Sequence, residues 1–142
     1  GQPRPKVAPS QIALIGIRSL DPEESNLCKT SGIRYYTMRT VEERGMDSIM
    51  KEVLGHLGQK TSHLHVSFDM DVLDPKEAPG VSTPEPGGIT SREAHWALEA
   101  IAQQGTLCSF DCVELNPLHD QSSQTAKLAK ELILSAMGKT LV

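Results

Sequence analysis

The sequence predicts an α/β fold in three layers, a mainly parallel sheet with helices on both faces. Three observations carry this. Short apolar runs of strand length alternate with longer stretches whose apolar residues fall at helical spacing. Helical stretches stand between strand candidates, the order of βα units whose parallel sheet is covered on both sides. One strand candidate ends in a group of acids, at the end where open α/β sheets bind ligands.

Residues 1–10 belong to a polar, Pro-rich start, "GQPRPKVAPSQ", and read as a linker or ragged edge. "QIALIGI" (residues 11–17) is a short β-branched run, the pattern of a buried strand. "RSLDPEESNL" is polar and turn-rich and reads as a connector. "IRYYTM" (33–38) is a second strand. From Val41 onward Met46, Ile49, Met50, Val53, Leu54 and Leu57 recur at helical spacing. That helix is weakened near its start by Gly45 and capped by Gly58. "SHLHVSFDM" (62–70) is the third strand. Thr90-x-x-Glu93 matches a capping box and opens a helix through Ala94, Ala97, Leu98 and Ile101. "TLCSFDCVEL" (106–115) is the fourth strand. The last helix starts near Ser122, has an apolar face running from Thr125 and Leu128 to Ala136 and Met137, and stops at Gly138.

The chain of 142 residues reads as one domain with room for a sizeable core. The net charge of −4 and the lack of a Lys/Arg run argue against nucleic acid as a partner. No apolar run approaches the length of a membrane span, mean hydropathy is slightly negative, and no signal peptide is visible at the start. Cys28, Cys108 and Cys112 make an odd count without a close pair. That favours a reduced, cytoplasmic setting and argues against structural zinc.

The chemistry concentrates in "HVSFDMDVLDP" (65–75). Residues two apart on a strand point to the same side, so Asp69 and Asp71 are expected to project together. Like charges so placed repel unless a cation sits between them, and an all-oxygen pair suits a hard ion such as magnesium or manganese. Solvated loop acids would look the same from spacing alone. Asp74, before Pro75, is expected to shape the turn. "FDMDV" also fits the nucleophile loop of haloacid-dehalogenase-type phosphatases. That chemistry needs a downstream lysine and an acidic pair; Lys127 and Lys130 lie in an amphipathic stretch and no Asp-Asp pair follows.

The longer stretch "SFDMDVLDPKEAPGVSTPEPGG" (67–88) resembles the signature of the ureohydrolases, the arginase and agmatinase family. "VELNP" (113–117) resembles that family's last active-site strand, and "GIRSLDPEE" (16–24) resembles its arginase branch. The resemblance implies manganese-dependent hydrolysis of L-arginine to L-ornithine and urea through a metal-bridging hydroxide. It implies that Asp69 bridges two manganese ions and Asp71 binds one. It implies that Glu114 orients the guanidinium, that Asp21 meets the substrate ammonium and Glu24 helps through water, and that Thr83 lines the pocket with a hydrogen bond near Glu114. Gly87 and Gly88 would let backbone pass close to the site or turn sharply. Agmatinase or another guanidino or formimino hydrolase is the alternative, and so is a non-catalytic assembly or binding module.

Plainer roles are also expected. Glu114 could be a solvated strand end and Asp21 a turn residue. His63 and His65 should lie at the far end of their strand and serve structure; His119 falls near the mouth. Asp111 is expected in a buried hydrogen bond, and His95 and Trp96 in packing or an interface. The family's Asp-x-His-x-Asp and Gly-Gly-Asp-His ligand segments, and its proton-shuttling His, have no match in this chain. The chain therefore resembles the C-terminal half of an arginase over residues 1–142. The isolated chain is expected to be inactive, and the complete protein to form a trimer or hexamer.

Overall fold

A computed structural model describes residues 7–141; the linker expected over residues 1–10 falls mostly outside them, and its end forms a 3-10 turn, Pro9–Gln11. The strands are β1 (Ala13–Ile17), β2 (Arg34–Thr37), β3 (Leu64–Asp69) and β4 (Leu107–Val113). The helices are α1 (Pro22–Thr30), α2 (Met38–Arg44), α3 (Met46–Gly58), α4 (Ser91–Gln104) and α5 (Gln124–Ala136). Both strand pairs, β1–β2 and β3–β4, are parallel, as the alternation of strands and helices requires.

Two elements differ from expectation. The polar stretch after β1 is the helix α1, which has no buried residue. Its start is fixed by a capping box: the Asp21 carboxylate accepts from Glu24 N at 2.8 Å, and Glu24 accepts from Asp21 N at 3.0 Å. The helix expected from Val41 is two helices broken at Gly45, whose φ of 77° is open to glycine and costly for other residues.

The core follows the predicted spacing. Met46, Ile49, Met50, Val53, Leu54 and Leu57 of α3 are all buried, each worth about 1.5–3 kcal/mol. They join Phe68 and Met70 from the end of β3 and Leu98 and Leu132 from α4 and α5 in one cluster. The β3–β4 pair alternates in the usual way. Val66, Phe68, Phe110 and Cys112 pack toward that cluster, while His65, Ser67, Ser109 and Asp111 are exposed. Asp111 is thus not in a buried bond. It faces His65 Nε2 at 3.5 Å, and His65 Nδ1 lies 2.8 Å from the Ser109 hydroxyl. His95 is buried between α4 and α5, 2.8 Å from the Ser135 hydroxyl. Among the described residues no helix is long and apolar enough to cross a membrane.

Candidate active site

Parallel pairing brings the C-terminal ends of β3 and β4 together, with Asp69 opposite Val113 and Glu114 next along the chain. The strand does not continue to Asp71. The backbone tightens into a 3-10 turn, Met70–Val72, so strand alternation is not what pairs the two acids. A hydrogen bond does it instead: Asp69 Oδ1 accepts from the Asp71 amide at 2.9 Å. Burial, and then the charges of Asp71 and Glu114, push the Asp69 carboxyl above its ordinary range, with the Asp71 amide opposing. Asp69 therefore feels the charge of both neighbours. Burial and the Asp69 charge also raise the Cys112 thiol, so this cysteine is no ready nucleophile.

Glu114 departs from the strand with φ 62°, the left-handed region that side chains rarely adopt. Such strain gathers where surrounding structure fixes it. Here the fixing is visible: Leu115 bridges Val81, Asn116 N donates to Gly80 O at 2.8 Å, and Asn116 Nδ2 donates to Ser82 at 3.2 Å. This draws the 80–83 loop alongside Glu114. Thr83, however, donates to Asp71 Oδ2 at 3.3 Å and not to Glu114. The turn of the 80s loop brings its hydroxyl over the 3-10 turn before it can reach the strand end.

Asp74 shapes the turn as expected, accepting from Lys76 N at 3.0 Å and Gly87 N at 2.9 Å. Those amides hold its carboxyl below the usual range. Gly88 passes against the turn so closely that a Cβ there would stand 2.4 Å from Val72 O. The His119 ring nitrogen Nδ1 lies 2.9 Å from Val81 O, behind the loop. Asp21 and Glu24 sit at the exposed start of α1, where the capping box uses one oxygen of each. The residue whose role sequence reasoning missed is Arg18, although it lies within "GIRSLDPEE". Its guanidinium donates to Asp71 O and to Glu85 O, and it lies three residues before Asp21. Three residues span at most about 11 Å, so Asp21 stays in the neighbourhood of the turn.

Asp69 and Asp71 offer hard oxygen donors of the kind manganese or magnesium takes. Among the described residues no cluster of three or more His, Cys, Asp or Glu is close enough to hold a metal ion. The donors here fit a hard cation in kind and would supply only part of a coordination shell.

Comparison with known proteins identifies the family and the fold. The model of the arginase family matches residues 3–138. The arginase of Bacillus caldovelox is 42% identical over 138 residues, which cover 97% of this chain and 46% of that protein. Its solved structure superposes with a TM-score of 0.95 over 98% of this chain. The arginase of Bacillus subtilis is likewise 42% identical over 97% of this chain and 46% of its own length. The formimidoylglutamase of Bacillus subtilis is 30% identical, with a TM-score of 0.86, over 94% of this chain and 43% of its own. The chain spans about half the length of the curated relatives it matches.

Proposed function

The chain belongs to the arginase family, and from that premise we propose that it carries half of the active site of a manganese-dependent enzyme that hydrolyses L-arginine to L-ornithine and urea. The observation that carries the proposal is the meeting of Asp69, Asp71 and Glu114 at the joined ends of β3 and β4. Asp69 and Asp71 would hold manganese, with further ligands from outside these residues. A bound divalent cation supplies Lewis acidity and activates water at neutral pH. Glu114 would accept two parallel N–H bonds from the planar guanidinium and so hold its carbon in place. Thr83 would keep Asp71 oriented through its hydroxyl. Asp21 and Glu24 each retain an oxygen beyond the capping box and would meet the substrate ammonium. Oligomeric assembly and a cytoplasmic setting, with three free cysteines, accord with this reading.

The test uses the longest reading frame that contains these residues, purified with manganese and assayed for urea release from L-arginine and agmatine. Asp69→Ala and Asp71→Ala should lower manganese content and rate together. Glu114→Gln should leave manganese bound and cost roughly ten- to a hundredfold in rate, the loss of a charge-assisted pair. The 142-residue polypeptide alone should release no urea above blank. Loss of metal in Glu114→Gln, with full metal in Asp71→Ala, would reverse the assignment.

A further inference from the structure

Arg18 is the first residue after β1, and neither the metal ligands nor the substrate contacts account for it. Its Nε and Nη2 donate to the Glu85 carbonyl at 3.1 and 2.8 Å, and Nη2 also donates to the Asp71 carbonyl. The carbonyls of Val72 and Leu73 lie 3.4 and 3.5 Å from the same group. The end of β1 is shaped to deliver it. The β1–β2 register shifts between Ile15 and Ile17, and an irregularity of that kind re-aims the residues beyond it. Gly16, within the shift, lies so close to the turn that a Cβ would meet Val72 Cγ2 at 2.4 Å.

We propose that Arg18 is a positioning residue for Asp71: its guanidinium ties the 3-10 turn and the 80s loop to the end of β1, fixing the Asp71 carboxylate against Thr83. The inference rests on the reading of Asp69 and Asp71 as metal ligands. The turn carries Asp71 and the loop carries Thr83, which donates to it, and neither segment lies in a strand or α-helix that would hold the backbone still. A planar fork with five N–H donors can serve several carbonyls at once, whereas a lysine ammonium cannot cover the same spread.

The experiment uses the longest reading frame that contains these residues and its Arg18→Lys, Arg18→Gln and Arg18→Ala variants. Backbone amide exchange is followed by NMR at Asp71, Gly87 and Ile89, and Mn(II) uptake by electron paramagnetic resonance of the free ion. In Arg18→Lys and Arg18→Gln, exchange at Asp71 and Gly87 should quicken about ten- to a hundredfold while amides of α3 keep their protection. Mn(II) binding should weaken about tenfold, the usual effect of losing a group that orients a ligand. Added methylguanidinium should restore both in Arg18→Ala. Unchanged exchange at Asp71 and Gly87 in a folded Arg18→Lys variant overturns the proposal. Loss of protection throughout α3 in Lys and Gln variants alike also overturns it, by making Arg18 a general stability residue. Mn(II) binding to the parent chain that ignores Asp71→Asn sinks the ligand reading itself, which the exchange data alone cannot do.

Discussion

Replacing Gly88 with alanine should destabilise the protein by about 2–6 kcal/mol. The new Cβ would stand 2.4 Å from Val72 O, 2.5 Å from Leu73 C and 2.6 Å from Asp74 N. All three are backbone atoms of the turn that follows Asp71, so none can swing aside as a side chain would. Overpacking of this kind costs about 1–3 kcal/mol. Moving the segment away would stretch two hydrogen bonds, Ile89 N to Val72 O and Asp74 N to Ile89 O, both 3.0 Å, worth about 0.5–1.5 kcal/mol each. The adjacent Gly87 is the control. Its φ is 78° and nothing lies within 4 Å of its missing Cβ, so alanine there meets only backbone strain of about 1–2 kcal/mol. Urea unfolding of parent and both variants measures the difference at constant m. A Gly88→Ala variant within about 0.5 kcal/mol of the parent, or one less damaged than Gly87→Ala, would refute the close-approach argument.

Two further outcomes follow from buried polar contacts. Thr125 is fully buried and accepts the Gly80 amide at 2.7 Å, so the near-isosteric Thr125→Val should strand that N–H and cost about 1–3 kcal/mol, while Thr125→Ser should keep the bond; equal unfolding midpoints for the two would count against it. His95 has its pKa lowered, first by burial, with the charges of Glu99 and Glu131 favouring the cation and those of Arg92 and Lys139 opposing it. The folded state therefore holds it neutral while the unfolded chain protonates near the ordinary value. Its contribution is full above about pH 6.5 and falls away below that, by at most about 1.4 kcal/mol per pH unit, until the folded pKa is passed. Unfolding at pH 7.5 and 5.5 should show a smaller acid loss in His95→Asn than in the parent, and an equal loss would remove the histidine as the cause.

The strands and the capped helix α4 were legible because their signals are local: a β-branched run for β1, a short apolar run for β3, and Thr90 with Glu93 for the helix start. Helix α1 was not, because it buries nothing and so carries no apolar stripe; its Asp21–Glu24 box was present in the sequence and is the signal that could have found it. In the site, the acids were legible as a group, since Asp69 ends a strand and Asp71 and Glu114 follow strand ends within two residues. The partner of Thr83 was not, because it depends on how a loop of the 80s folds back over a turn. Arg18 falls inside "GIRSLDPEE", but its role was not legible: it bonds to backbone carbonyls, which every residue has, so no pattern of side chains announces its partners.

The residue between the two aspartates explains how so irregular a segment can hold its shape. Met70 is fully buried in the core, while Asp69 and Asp71 on either side remain partly open. In a 3-10 turn the side chains of successive residues diverge by about a third of a turn, so anchoring the middle one inward sends its neighbours toward the site. The β3–β4 register adds the second constraint. A slip of one residue would move Glu114 about 3.3 Å along the strand and turn Phe68 out of the core, which the buried cluster forbids. The spacing of the carboxylates is therefore set by apolar packing beneath them, and their orientation by the polar contacts of Asp71, Thr83 and Arg18 above it. If Asp69 and Asp71 hold metal as proposed, mutations in that part of the core should alter metal affinity as well as stability.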